Sequence, residues 1–570
     1  MTLRIIVLAA FFAVSGAVLA ARVAYVQVVR TDHYRAQARD EHFGQEELRA
    51  PRGAILDRNG YPLATTVDAF DVFINRDDWQ DDFAAKQGAE FIAPVIGADP
   101  VDLINKVRAH DGSLYLAFSG LDYEKGAALH DADAPGLRIV QTTKRFYPEG
   151  DLASSLLGFV GRDHAGLTGI EKDFDTELGG KPGTFYFERD SIGNRIQLGA
   201  ERIGKQPEPG GDIELTIDRY IQRLVEGRLE EEIARTKALG GSIVVMDPAT
   251  GEVLAMASQP TFRLSQLRDG DIDQALIRNR AVTDVYEPGS VFKVLTAAMA
   301  IELGHVTPES TYNDTGASFI GESTIRNWDY SVNGITSVTQ ILQRSLNTGA
   351  VWMAQMVGPE AFYKYLRDFG LGEATHVGLG GEADGLVRSQ EDPAWAPVDL
   401  ATNSFGQGVA ATPLQVVSAV AAIANDGKLM RPYIVRRAVT PDGVRTFEPS
   451  VVRQVVSERT AAAVTDMMNQ VVEGVPGNLA RVSGYRVAGK TGTTTGATLA
   501  DGAVLDGNIA SFIGFAPADE PRIIVLVKLD FKEDRLGGQV AAPVFADIVP
   551  KILAYLGVRP EGAQQVSAAP

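Results

Sequence analysis

The chain has 570 residues and a formal net charge of −19, from 73 Asp and Glu against 54 Lys and Arg. That balance argues against a nucleic-acid surface, which needs clustered Lys and Arg, and the absence of cysteine excludes disulfides and thiolate metal sites. The seven histidines are scattered without ligand spacing, so no metal and no cofactor is expected, and the length allows about two to four domains.

Ile5 to Val29 is apolar almost throughout, interrupted by Arg22 and Gln27. About 20 apolar residues span a bilayer, and Arg22 near one end can snorkel to the headgroups. The expectation is an uncleaved single-pass anchor at 5–29. The basic end, 1–4, then stays in the cytoplasm by the positive-inside rule, and the rest of the chain is exported. A cleaved signal peptide ending at Val18-Leu19-Ala20 is the alternative, against which the apolar run continues past Ala20.

Asp32 to Leu48 is charged and reads as helical. Arg52-Gly53-Ala54-Ile55-Leu56-Asp57-Arg58-Asn59-Gly60 follows, with Asn59-Gly60 as a turn between short extended runs. Val67 to Ile74 reads as a strand, Asp77 to Asp82 as a solvated loop, and Gly158 to Gly183 is glycine-rich. No catalytic constellation falls in this region, which is assigned as a mixed α/β scaffold or docking domain at 40–209.

Pro207-Glu208-Pro209-Gly210-Gly211 is the linker candidate, and a second domain is placed at 210–557. Tyr220, Ile221, Leu224, Val225, Leu229 and Ile233 mark an amphipathic helix, with Glu230 to Glu232 on its solvated side. Ser242–Asp247 and Glu252–Ala257 form a hairpin about the turn Pro248-Ala249-Thr250-Gly251. Helical sequence continues through about Met356. Strands return at Tyr485–Ala488, Ile509–Phe515 and Ile523–Leu529, and Val544–Leu556 closes the domain as a helix. The economical fold is α+β: one antiparallel sheet covered by helices, with a helical insertion. Residues 558–570 read as a disordered tail.

Three short motifs in this domain carry chemistry. In Pro288-Gly289-Ser290-Val291-Phe292-Lys293, Pro and Gly break the preceding segment. Val291, Leu295, Ala298 and Ile301 then recur at helical spacing up to a cap at Gly304. Ser290 falls in the first turn of a buried helix and Lys293 on the same face. A serine hydroxyl needs a base, and burial with the helix dipole lowers a lysine pKa toward that role. Alone, the same residues fit a helix cap and a surface lysine. Ser345-Leu346-Asn347 offers a hydroxyl and an amide in helical sequence. Lys490-Thr491-Gly492-Thr493 lies at the end of a strand, where its cation and hydroxyls can meet a carboxylate while Gly492 leaves room for substrate.

The ordered set Ser-x-x-Lys, Ser-x-Asn, Lys-Thr-Gly is the motif set of penicillin-binding proteins and serine β-lactamases. The chain from about Arg49 to Leu556 resembles a class B penicillin-binding protein. Arg278-Asn279-Arg280, Thr283 to Ser290, Phe369 to Gly372, Ser404 to Gly408 and Thr412 to Gln415 resemble the FtsI-type, cell-division branch. The Arg52–Gly60 motif matches the family's non-catalytic pedestal. The resemblance implies a D,D-transpeptidase acting on the D-Ala-D-Ala end of peptidoglycan stem peptides, and a β-lactam target. It implies Ser290 as nucleophile, Lys293 as base, and Ser345 and Asn347 as proton relay and amide anchor. Lys490, Thr491 and Thr493, with Gly492 among them, would face the terminal carboxylate. The backbone N–H groups of Ser290 and Thr493 would form the oxyanion hole. It further implies an extracytoplasmic catalytic domain at the septum, with an FtsW-type lipid II polymerase and other division membrane proteins as partners.

Rival readings have less support. The Glu-x-x-Leu-Asn loop of class A β-lactamases is missing, because Gln343 precedes Ser345-Leu346-Asn347. A D,D-carboxypeptidase is usually smaller and lacks the Arg52–Gly60 motif. No glycosyltransferase segment separates anchor and catalytic domain. A sensor would need a cytoplasmic signalling region, and an inactive scaffold should have lost a motif. An elongation-type enzyme shares all three motifs and stays open.

Overall fold

The computed structural model describes residues 2–34, 43–131, 134–188, 201–267, 272–440, 443–498 and 504–561. The chain forms two compact units. One is built from the chain up to Arg52 with Gly179–Gly210, the other from Gly53–Leu178 with the chain from Gly211 onward.

In the first unit, the helix Thr2–Ala24 continues through a π-helical turn, Tyr25–Val29, and buries none of its residues. It is long and apolar enough to cross a membrane and fits a single-pass anchor. The same unit holds an antiparallel sheet ordered Phe43–Leu48, Gly183–Glu188, Glu201–Lys205. The helix expected to run to Leu48 is therefore a strand from Phe43. Its pairing partner lies far downstream, where local sequence cannot report it; residues 35–42 of that expectation lie outside the described residues.

In the second unit, Pro62–Asn75 is a long strand flanked by Leu114–Asp122 and Leu137–Phe146. The Asp77–Asp82 cluster is not a loop. Asp77–Trp79 is a 3-10 turn that buries Trp79, and Asp81 caps the helix Asp82–Ile96 by accepting the Ala84 N–H at 2.8 Å. The Asn59-Gly60 turn forms as expected, with Gly60 at φ +83°. Asp57 at its base is fully buried and accepts the N–H groups of Asn59 and Tyr61 at 2.8 and 2.9 Å and of Arg219 at 3.3 Å. The acidic member of this motif is therefore a structural joint.

Helix α1 (Arg219–Thr236) is capped by Asp218, which accepts the Tyr220 N–H at 2.9 Å. Glu232, expected on the solvated face, is fully buried; Arg228 donates to it at 3.0 Å and Arg235 at 3.1 Å. The two arginines close over the carboxylate and replace its water. Strands β1 (Gly240–Met246) and β2 (Val253–Gln259) form the expected hairpin. Helix α2 (Lys293–Glu302) follows the 3-10 turn Gly289–Phe292 and ends before Gly304, at φ +73°. The helical sequence expected through about Met356 is interrupted by four short strands. Thr311–Asp314 pairs with Gly334–Ser337, and Ala317–Ile320 with Ser323–Arg326. Helices α3 (Val338–Arg344) and α4 (Asn347–Val357) come next.

Strands β3 (Ala488–Thr498), β4 (Val504–Ala516) and β5 (Ile523–Phe531) complete the main sheet, and helix α5 (Gly537–Tyr555) closes the unit. The sheet order is β2-β1-β5-β4-β3, every pair antiparallel. Side chains alternate between two buried layers. Val244, Met246, Ile524 and Leu526 join the core shared with α2, whereas Ile243, Val245, Val525 and Val527 join the core shared with α1 and α5. β3, with the Lys-Thr-Gly motif near its start rather than its end, is the edge strand. Residues 562–570 of the expected tail lie outside the described residues.

Candidate active site

The single turn Gly289–Phe292 holds Ser290 at the entrance to α2. Its entry angle depends on backbone approaching backbone. The Gly289 N–H donates to Gly406 O at 3.1 Å, and a Cβ on Gly289 (φ +61°) would sit 2.7 Å from Thr493 O. Gly492 serves the same packing. A Cβ there would meet Ser511 Oγ at 2.4 Å and Pro288 O at 2.8 Å. The glycine makes room for the serine-bearing turn.

Lys293 opens α2 and is fully buried. Its Nζ lies 2.9 Å from Ser290 Oγ, 2.6 Å from Ser345 O, 2.8 Å from Asn347 Oδ1 and 3.2 Å from Ser345 Oγ. The two carbonyl oxygens can only accept, so they take two N–H bonds of the amine. In a neutral amine the remaining valence is a lone pair, and the Ser290 hydroxyl is at hand to donate to it. Burial, and secondarily the Lys490 ammonium, holds the Lys293 pKa well below the ordinary lysine range. The Phe405 ring, 5.9 Å from Nζ, closes another side.

Ser345, expected in helical sequence, is a single left-handed residue (φ +57°) between α3 and α4. That break turns its hydroxyl toward both lysines, 3.2 Å from Lys293 Nζ and 3.0 Å from Lys490 Nζ. Asn347, the first residue of α4, accepts from Lys293 through Oδ1 and donates through Nδ2 to Arg326 O at 2.9 Å. Lys490 is buried on β3, which lowers its pKa to about 7. Thr491 and Thr493 line the cleft beside it. The Thr493 hydroxyl accepts the Gly537 N–H at 3.2 Å, which leaves its proton for a substrate oxygen. All three motifs thus meet in one cleft of ≈ 770 Å³.

The wall opposite β3 was not foreseen from sequence. Buried Asp314 accepts from Thr348 Oγ1 at 2.8 Å and from Asn333 Nδ2 at 2.7 Å, and Asn327 Oδ1 accepts the Thr348 N–H at 3.3 Å. This network fixes the short strands to α4 directly after Asn347. Glu287 lies within the Thr283 to Ser290 block. It accepts the Gly408 N–H at 2.9 Å and the Thr494 hydroxyl at 3.4 Å, tying the approach to Ser290 to the 404–408 loop and to β3. Burial raises its pKa.

Comparison with known proteins agrees with this geometry. Residues 241–550 match the penicillin-binding protein transpeptidase domain, and residues 47–215 match the penicillin-binding protein dimerisation domain. The chain belongs to the class B penicillin-binding proteins. It is 34% identical over 552 residues to the stage V sporulation protein D of Bacillus subtilis, covering 95% of this chain and 84% of that one. It is 31% identical over 552 residues to the peptidoglycan D,D-transpeptidase FtsI of Escherichia coli K12, covering 96% and 90%. Among solved structures, penicillin-binding protein 2X of Streptococcus thermophilus superposes with a TM-score of 0.75 at 25% identity, covering 90% of this chain and 81% of that one. Penicillin-binding protein 3 of Mycobacterium tuberculosis, complexed with aztreonam, gives 0.68 at 29% identity, covering 90% and 98%. The enzyme is a penicillin-binding transpeptidase of the serine acyltransferase type, and its acyl-transfer domain contains the cleft described above.

Proposed function

We propose that this class B penicillin-binding protein cross-links peptidoglycan stem peptides at the division septum and that β-lactams acylate the same serine. The observation that carries the catalytic reading is the buried Lys293 amine, 2.9 Å from Ser290 Oγ and held by two carbonyl acceptors. Ser290 Oγ attacks the carbonyl carbon of the penultimate D-Ala while its proton passes to the Lys293 lone pair. The N–H groups of Ser290 and Thr493 receive the developing oxyanion. The D-Ala–D-Ala amide bond then breaks, its nitrogen takes a proton delivered through Ser345 Oγ, and free D-Ala leaves an ester on Ser290. An acceptor amine attacks that ester in the reverse sense and loses its proton to the same relay. Lys490 with the Thr491 and Thr493 hydroxyls holds the terminal carboxylate, whose charge draws Lys490 back to its ammonium form.

The division role is supported by the sequence blocks from Arg278 to Gln415 and by the likeness to FtsI. A sporulation role is the second reading, favoured by the 34% identity to stage V sporulation protein D. We place the catalytic unit on the outer face of the cytoplasmic membrane, with an FtsW-type polymerase as partner. A fluorescent penicillin should label the parent but not Ser290→Ala, and label should concentrate at septa. Depletion should give filaments; cells that lose rod shape, or fail only as spores, would refute the division role.

A further inference from the structure

The cleft has a charge pattern that the catalytic reading leaves unused. Acids outnumber bases by 73 to 54 in the whole chain, yet among the described residues no Asp or Glu lines the cleft. Two arginines do: Arg326 and Arg344, both on the wall opposite β3 and both exposed. Neither has an ion-pair partner among the described residues. The only bond made by the Arg344 guanidinium there goes to a neutral group, Asn333 Oδ1, at 3.0 Å.

Their positions are fixed by the catalytic groups. Arg326 O accepts from Asn347 Nδ2 at 2.9 Å, and Arg344 immediately precedes Ser345. Both guanidinium groups project from backbone that the Ser-x-Asn motif itself holds. Lys490 already supplies the cation for the terminal carboxylate, on the β3 side. This pair of exposed cations, on a cleft lining without Asp or Glu among the described residues, is matched to a second anion on the same substrate.

We propose that Arg326 and Arg344 form a subsite for a carboxylate carried by the donor stem peptide on the N-terminal side of its scissile bond, so that the enzyme reads two anions of one chain. The guanidinium fork suits a carboxylate better than an ammonium would. The inference rests on the placement of the terminal carboxylate at Lys490. A neutral carboxamide at the same substrate position would leave the arginines unpaired and lose the contact.

The test uses the full-length protein in detergent and two synthetic peptides ending in D-Ala-D-Ala. They are identical except that the side chain of the preceding residue ends in a carboxylate in one and a carboxamide in the other. The readout is the ratio of their kcat/KM values for D-Ala release, which a general loss of folded protein leaves unmoved. The parent should prefer the carboxylate peptide about three- to fivefold, the upper range of an exposed ion pair. The ratio should fall toward unity in the Arg326→Gln/Arg344→Gln double variant and be largely kept in the corresponding double Lys variant. Equal rates for both peptides in the parent overturn the subsite while leaving the catalytic reading intact, and so does a preference that survives both Gln substitutions. If neither peptide releases D-Ala and penicillin fails to acylate Ser290, the catalytic reading falls and the subsite with it.

Discussion

Ser345 offers a perturbation in which catalysis and stability should separate. Its hydroxyl lies 3.2 Å from the Lys293 amine and 3.0 Å from the Lys490 amine, and its backbone is left-handed at φ +57°. Ser345→Ala removes the hydroxyl and keeps a Cβ in a conformation that disfavours one. Ser345→Gly removes the hydroxyl and the conformational penalty together. A positioned proton-transfer group contributes about 100-fold or more, so both variants should lose at least about that factor in the second-order rate of acylation by a fluorescent penicillin. In stability they should differ. The left-handed region costs a non-glycine residue about 1 kcal/mol, so the glycine variant should melt about 2 °C above the alanine variant. Acylation of both at the parent rate would refute a relay through Ser345 and leave the lysines to exchange protons through water. A glycine variant no more stable than the alanine variant would refute the strain.

Three other outcomes follow from the packing and charges. Gly492→Ala puts a methyl 2.8 Å from Pro288 O, so it should displace the Ser290 turn and cut penicillin acylation more than about tenfold; unchanged kinetics would show that the turn yields. Lys490 has a pKa near 7 in the fold, against 10.5 for an unperturbed lysine. The unfolded chain therefore binds more protons between those values, and stability from this group falls as pH drops through that window. Lys490→Met should accordingly melt above the parent near pH 7, by on the order of a few kcal/mol in stability, and the gain should vanish above about pH 10.5; a gain independent of pH would contradict the burial argument. Glu232→Ala removes the nearer of two carboxylates from half-buried Arg228, Asp547 remaining at 3.4 Å, so it should cost about 1 kcal/mol in urea unfolding with the acylation rate of the folded protein unchanged.

Much of the site was legible because its signals are local. Ser290 and Lys293 share a face by helical spacing, Gly304 caps the helix, and the nearly unbroken apolar run from Ile523 to Leu529 marks a strand. What stayed hidden depends on partners remote in sequence. Phe43–Leu48 is a strand only because Gly183–Glu188 pairs with it. Glu232 reads as a surface acid until Arg228 and Arg235 fold over it. Ser345 adopts a glycine-like backbone that no propensity favours, held by Leu346 N–H donating to Ile341 O at 3.0 Å and by the lysine at its carbonyl. The packing of the Ser290 turn against the glycine of Lys-Thr-Gly stayed hidden too, because the sequence cannot show which backbone faces it. Arg326 and Arg344 converge only when the short strands, an interruption of an expected helix, pack beside α4.

The central claim is that Lys293 acts as a neutral base on Ser290. Covalent labelling of folded, full-length protein by a β-lactam, followed by intact mass, tests it directly in Lys293→Arg. Arginine keeps the positive charge and cannot give up its proton near neutrality. The variant should acylate nearly as slowly as Ser290→Ala, and the double variant should be little worse than either single, since groups acting as one unit are non-additive. Acylation of Lys293→Arg at near the parent rate would contradict the account, making Lys293 an electrostatic anchor and leaving Ser290 without its base.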